Sequence, residues 1–356
     1  LKQKILHIID SFSTGGAEVL LAGVIPELVD FEHVIVYLTP TKTPILSSDP
    51  TIKIVCLNFR SITDATRIIK DLNTIIEQEK PGIIHTHLYF SSLFIRFART
   101  NKINIIQTYH NEYYRIRYPQ FSARIKKIGL KLLDRFTMKN AYTVIHVSKA
   151  QQLVNDHDVR IKSSAVLYNY VEDQFYQTRK TSSFKGTGKL KIICVGNLKT
   201  EKNHILLLHA LRQLMHLPIH VTICGEGNDY IMLQKYINRY DLPVTLMGSQ
   251  KNIHELLGQH DLFVSCSIIE GFGISIAEAM ASEIPLIISD ISTFKEVTQN
   301  KAVFFESRNV ASLAEKIEQF YLSPQSAAAS VLACKEIAEQ YKKSFYLDRL
   351  NTLYKK

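Results

Sequence analysis

Twice along this chain of 356 residues an apolar run breaks into a glycine-bearing loop that opens a helix. The first unit passes from the apolar stretch 4–10 through Ser11-Phe-Ser-Thr-Gly-Gly-Ala-Glu18 into a helical pattern at 19–28. The second passes from 190–195 through Gly196-Asn-Leu-Lys-Thr-Glu-Lys-Asn203 into a helical pattern at 205–214. Further strand-like runs follow each, at 33–38, 52–57, 83–87, 103–108 and 143–147, then at 219–224, 244–247, 261–266 and 285–289, and helical patterns alternate with them. Strands that alternate with helices return parallel, and the crossing helices cover both faces of the sheet. The length exceeds what one core usually serves, and the polar stretch 177–189 reads as a flexible linker. The expected fold is α/β, with two doubly wound parallel sheets. Ligands of such sheets bind at the carboxyl ends of the strands.

Composition excludes several classes. Hydrophobic residues make up 46% and charged residues 21%, as in ordinary globular proteins. No run of about 18 uncharged apolar residues occurs, so no spanning helix is expected. Residues 1–9 read as a first strand, not a signal peptide. The five cysteines lack metal-ligand spacing, and an odd count argues against a disulfide framework, so a reducing cytoplasm is expected.

The net charge of +10 is concentrated: residues 115–139 carry eight Lys or Arg against Asp134 alone. Within them Phe121, Ile125, Ile128, Leu132 and Phe136 recur at helical steps, and Arg124, Lys127, Lys131 and Arg135 run along one flank. A basic amphipathic helix suits an anionic membrane surface. A surface helix whose stripe faces its own core is the competing expectation. Nucleic acid is not an expected partner, because no binding motif or aromatic interleaving accompanies the charge.

The stretch that narrows function is Glu270-Gly-Phe-Gly-Ile-Ser-Ile-Ala-Glu-Ala-Met-Ala-Ser-Glu-Ile-Pro285. It follows a buried-strand pattern and turns into a short helix. Gly271 and Gly273 sit at the turn, where glycine lets a backbone approach a ligand. The helix mouth beyond them suits phosphate. Glu270 and Glu278 flank that mouth and suit sugar and ribose hydroxyls. In the first half, His85, His87 and His110 fall at strand ends. His85 and His87, two apart on one strand, are expected to point to opposite faces, which argues against a shared metal. A dinucleotide fingerprint is absent from the Gly15-Gly16 loop.

The Glu-Gly-Phe-Gly turn with a second Glu eight residues after the first resembles the signature of family 4 retaining glycosyltransferases of GT-B architecture. The resemblance spans nearly the whole chain and is more specific in its second half. It implies two Rossmann-like domains facing across a cleft: residues 1–178 for the acceptor, 179–340 for the nucleotide sugar, and 341–356 a helix crossing back to the first domain. It implies that Gly15 and Gly16 border the donor diphosphate and that His110 lies beside the donor sugar. Lys202 matches the lysine that neutralises the leaving diphosphate, whereas Asn197 stands where an arginine is usual. Gly225 and Gly248 border the nucleotide, and Gly271, Phe272, Gly273 and Ile274 line the phosphate site. Asn169-Tyr-Val-Glu-Asp-Gln-Phe175 is similar to a family segment, with Tyr170 where glycine is usual. Glu283 likewise replaces a usual glycine, and the glycine common near Ala302 is missing.

The implied activity is metal-independent hexosyl transfer with retention from a nucleotide-diphosphate sugar, UDP-sugar favoured. The acceptor is a glycan or lipid-linked saccharide of cell-surface polysaccharide assembly. The enzyme is expected to be cytoplasmic and peripheral at the inner leaflet, without a cofactor. No Asp-x-Asp metal spacing is present. Two other classes share the architecture: a nucleotide-sugar 2-epimerase-like isomerase, and a non-catalytic nucleotide-sugar-binding protein, the latter motivated by Asn197.

Overall fold

A computed structural model describes residues 2–355 apart from 14, 42–43, 47–51, 116–120, 140–141 and 182–183, with the side chains of 121–124 and 126 also outside the described set. One sheet comprises β1 (Gln3–Ile9), β2 (Phe31–Tyr37), β3 (Lys53–Cys56), β4 (Ile83–His87), β5 (Asn104–Tyr109), β6 (Thr143–His146) and β7 (Ser164–Val166). The other comprises β8 (Leu190–Val195), β9 (Ile219–Cys224), β10 (Val244–Gly248), β11 (Leu262–Ser265), β12 (Leu286–Ser289) and β13 (Val303–Phe305). Their orders are β3-β2-β1-β4-β5-β6-β7 and β10-β9-β8-β11-β12-β13. Every strand pair among the described residues is parallel. The winding reverses between β1 and β4 and again between β8 and β11, and that reversal opens a crevice at the carboxyl ends of those strands. The two expected doubly wound parallel sheets are therefore present.

The chain divides into two compact units. One holds residues up to Asn169 together with those from Tyr346 onward; the other is Tyr170–Phe345. The stretch 177–189 is no free linker where it is described. Thr181 N donates to Gly258 O at 2.9 Å, Phe184 packs beside Phe320 and Tyr321, and Tyr321 Oη donates to Gly188 O at 3.0 Å. Its polar composition concealed one aromatic anchor.

Alternation along β1 and β4 sorts two environments in the first unit. Leu6, Ile8 and Ile84 join the core beneath the helix Ala65–Glu79, built on Ile68, Leu72 and Ile76. His7, His85 and His87 take the other face, where the rings of His85 and His87 lie 4.0 Å apart. The expectation that these two point to opposite faces is wrong. Side chains two apart on a strand share a face. The last helix, Lys343–Tyr354, brings Tyr354 to this face, its Oη 2.7 Å from His85 Nδ1.

The helix Phe121–Thr137 inverts the usual amphipathic arrangement. Asp134 is buried and ion-paired with equally buried Arg96, and it accepts from Tyr114 Oη at 2.9 Å. Lys131 pairs with Asp158, and Arg135 Nε donates to Asp158 O at 2.6 Å. The apolar row faces solvent: Ile125 is 55% exposed, Ile128 59%, Leu132 45% and Phe136 85%. A stripe turned toward the protein's own core is thus excluded for these four residues. The side chains of Phe121 and Arg124 lie outside the described residues, and Lys127 is partly buried.

Candidate active site

In the second unit the strand-end loops are locked together by backbone. Gly196 N donates to Cys224 O at 2.9 Å and Leu198 N to Glu226 O at 2.8 Å. Gly225 makes this approach achievable: its φ is +145°, and a Cβ there would lie 2.0 Å from Gly196 O. Gly225 N in turn donates to Gly248 O at 2.8 Å, which ties in the end of β10. His204 supports the loop from below. Its Nε2 lies 3.3 Å from Asn197 O, and burial pushes its pKa down to about 4, so it holds the loop as a neutral ring. Asn197 itself is exposed. Sequence reasoning missed His204; its place at the start of the helix His204–Gln213 was the available signal.

Lys202 closes a short 3-10 turn, Thr200–Lys202, and its Nζ pairs with the Glu270 carboxylate. Ser267 Oγ donates to the same oxygen, Oε1, at 2.8 Å, and Thr293 Oγ1 donates to Glu270 O at 3.0 Å. Two residues 68 apart in sequence are thereby held as one charge pair. Behind Glu270, Phe272 is buried and packs edge-on to Tyr341. Gly273 follows with φ +86°, and a Cβ there would meet Phe294 Cε1 at 2.8 Å. It caps the helix Ile274–Ala281 with no side-chain cap, so the mouth presents backbone N–H groups of the first turn.

Glu278 lies on this helix, half-buried. Burial, helped by the negative charge of Glu172, pushes its pKa up to about 7. Glu172 pairs with Lys343 at 3.2 Å. The segment holding Glu172 resembles a family segment, but nothing in its sequence signals this role for Glu172. The arrangement sets one cation, a helix mouth and two carboxylates together, a set able to hold a diphosphate between hydroxyl-bearing groups.

In the first unit, Gly15 caps the helix Gly16–Val24 at the loop after β1. Ser11 Oγ donates to the buried Glu18 at 2.5 Å. Asp10, also at that strand end, accepts from Phe90 N at 3.0 Å and Ser91 N at 2.7 Å. His110 follows β5, with its Nε2 3.4 Å from His87 Nδ1, and burial pushes its pKa down to about 4. Nitrogens of His7, His85 and His87 lie within 4.8 Å of one another, the spacing of a metal cluster. Both nitrogens of His85 are engaged, however, with Tyr354 Oη and Thr108 Oγ1, each at 2.7 Å. Only His7 and His87 keep an unpartnered nitrogen, and two neutral ligands in a buried site do not offset the cost of desolvating a divalent ion.

Comparison with known proteins bears on both units. The family model described as Glycosyltransferase Family 4 matches residues 14–175, and the one described as Glycosyl transferases group 1 matches 176–340. The GPI3 subunit of phosphatidylinositol N-acetylglucosaminyltransferase from Saccharomyces cerevisiae is 24% identical over 260 residues, which are 68% of this chain and 56% of that protein. The chain therefore spans little more than half of that relative's length. The O-antigen chain mannosyltransferase RfbU of Salmonella typhimurium is 25% identical over 262 residues, 67% of this chain and 72% of RfbU. Among solved structures, Anabaena HepE in complex with UDP and glucose superimposes with a TM-score of 0.79 at 18% identity, covering 99% of each chain.

Proposed function

The chain belongs to family 4 of the GT-B glycosyltransferases, and from that premise we propose that it transfers a hexosyl unit, with retention and without a metal, from a UDP-sugar to a glycan or lipid-linked saccharide. The Lys202–Glu270 pair at the mouth of the helix Ile274–Ala281 carries this reading. As the anomeric C–O bond breaks, negative charge grows on the leaving diphosphate. Fixed donors already in place are worth most at that moment. Lys202 and the first-turn N–H groups are such donors. Lys202 exchanges its contact with Glu270 for one with phosphate, and Glu270 is released to accept from sugar hydroxyls. The acceptor oxygen forms the new bond on the face the diphosphate leaves, and its proton passes to a diphosphate oxygen. Asn197 in place of arginine leaves Lys202 a larger share of this neutralisation. Glu278 accepts from the ribose, and Gly225 and Gly248 border the base. Gly15, Gly16 and His110 keep the donor-contact roles that the family resemblance implies.

UDP as the donor's nucleotide is supported by HepE, whose structure holds UDP and glucose. A lipid-linked or surface-glycan acceptor is supported by the phosphatidylinositol and O-antigen chain in the relatives' names. The exposed apolar row of the helix Phe121–Thr137 supports peripheral contact with a membrane surface; an inner-leaflet, cytoplasmic site of action belongs to the same reading. No helix among the described residues is long and apolar enough to cross a membrane. The test is Lys202→Ala: kcat should fall on the order of 10²–10³ with the fold intact. Unchanged turnover at saturating UDP-sugar removes Lys202 from the mechanism, and stabilisation by another nucleoside diphosphate in preference to UDP corrects the donor.

A further inference from the structure

What sets the hydrogen-bonding sense of His110 can be followed ring by ring across the first sheet, and it rests on the reading of His110 as a contact to the nucleotide sugar. His33 Nε2 lies 3.1 Å from Leu28 O, and His33 Nδ1 lies 3.1 Å from His7 Nε2. A carbonyl only accepts. Neutral His33 therefore carries its proton on Nε2, accepts at Nδ1, and takes that bond from His7 Nε2–H. The remaining nitrogen of His7, Nδ1, is then a bare lone pair, and it is buried without a partner. The atom this core leaves unpaired is thus a lone pair, in keeping with the rarity of orphaned buried N–H groups.

His87 presents the same choice one strand away. Its Nε2 is buried without a partner, and its Nδ1 lies 3.4 Å from His110 Nε2. The same preference puts the single proton of His87 on Nδ1, donated to His110 Nε2. His85 cannot take over this task, because Thr108 and Tyr354 already engage both of its nitrogens. Burial lowers the pKa of both His87 and His110, so neither gains a second proton near neutrality. We propose that His87 is a positioning residue that locks His110 as its Nδ1–H tautomer, so that His110 offers the nucleotide sugar an N–H and no competing lone pair.

The experiment is long-range 1H–15N correlation of ring nitrogens in the full chain labelled with 15N-histidine, with signals assigned by His87→Asn and His110→Gln. His110 should show a protonated Nδ1 and a bare Nε2 throughout about pH 6 to 8, the range in which an unperturbed histidine changes charge. His87→Asn, whose side-chain N–H reaches the place of Nδ1, should preserve this pattern and most of the turnover. His87→Leu should let His110 exchange between tautomers and lower kcat/KM for the UDP-sugar roughly two- to tenfold, the bias one hydrogen bond supplies. A protonated Nε2 on wild-type His110, or an unaltered His110 signal in His87→Leu, overturns the proposal. His110→Ala checks the underlying role separately: full turnover there overturns the catalytic reading of His110, while the spectrum still decides the tautomer.

Discussion

Glu278 shows how one side chain ties substrate binding to pH. Its pKa stands at about 7, raised first by burial and then by Glu172. In the proposed ribose role only the ionised carboxylate would accept from two hydroxyls, so donor binding should release a proton near neutrality. KM for the UDP-sugar should be flat above about pH 7 and rise as pH falls below it, in line with the raised pKa. Glu172→Gln should move that rise to lower pH, and Glu278→Gln should raise KM and flatten the profile. A KM independent of pH in the wild type would remove Glu278 from the ribose. The stability linkage has the opposite sense. A carboxyl with a raised folded pKa stabilises the fold below its unfolded value and loses that contribution as pH climbs toward the folded one. At this scale the sequence carried much of the second unit, because the glutamates and Lys202 belong to a spaced motif. It carried no trace of the Lys202–Glu270 pair itself, which joins residues 68 apart. The parity slip at His85 and His87 hid a histidine row that strand alternation alone could have shown.

Among the elements, the helix Phe121–Thr137 carries two competing expectations, and its outward-facing apolar row rules out the core-facing one. Periodicity identifies an apolar stripe but not the direction it faces. Here a buried polar network holds the inner side: Arg96 donates to Tyr109 Oη at 2.9 Å and to Gln107 Oε1 at 3.2 Å, besides its pair with Asp134. Asp134→Ala strands a buried guanidinium and should cost about 3–5 kcal/mol, measurable by denaturant unfolding. A loss under about 1 kcal/mol would assign the helix's anchorage elsewhere. The outer side gives a second expectation. Because Lys131 and Arg135 are committed to Asp158, apolar insertion and not the basic flank should dominate vesicle binding. Ile128→Ser, Leu132→Ser and Phe136→Ser together should leave the melting temperature unchanged and cut co-sedimentation with anionic vesicles at least roughly tenfold, since buried apolar area is worth about 25 cal/mol per Å². Equal binding by wild type and variant would show that this row does not touch lipid. The helix Lys149–Val159 was invisible for the opposite reason: it is polar, with only a Ser148 cap accepting from Gln151 N at 3.1 Å to mark its start.

For the molecule as a whole, sequence order and spatial membership diverge at the carboxyl end. Residues from Tyr346 onward belong to the first unit, although Tyr170–Phe345 form the second. The alternation of strands and helices made both sheets legible, but alternation does not tell which sheet the final helix joins; a single tyrosine shows it. Tyr354 is buried, packs edge-on to Phe31 with ring centroids 5.5 Å apart, and holds His85 at 2.7 Å. Tyr354→Ala removes an aromatic ring from that core, a change that costs roughly 3–5 kcal/mol, and it leaves His85 Nδ1 unpaired as well. That loss falls on the unit containing β1 and β4. The proposed nucleotide site draws on residues 196–203, 225–228 and 267–281, all of them in the other unit. Hydrogen exchange of Tyr354→Ala should therefore rise in β1, β4 and β5 and remain at wild-type rates in β8, β9 and β11. UDP should still protect residues 196–203 and 267–281, with an affinity within about threefold of wild type, a difference well under 1.4 kcal/mol. Transfer to an acceptor should fall as the first unit loosens, so binding and turnover separate in one variant. Loss of UDP affinity in step with turnover would show that the second unit depends on the carboxyl-terminal helix for its own integrity.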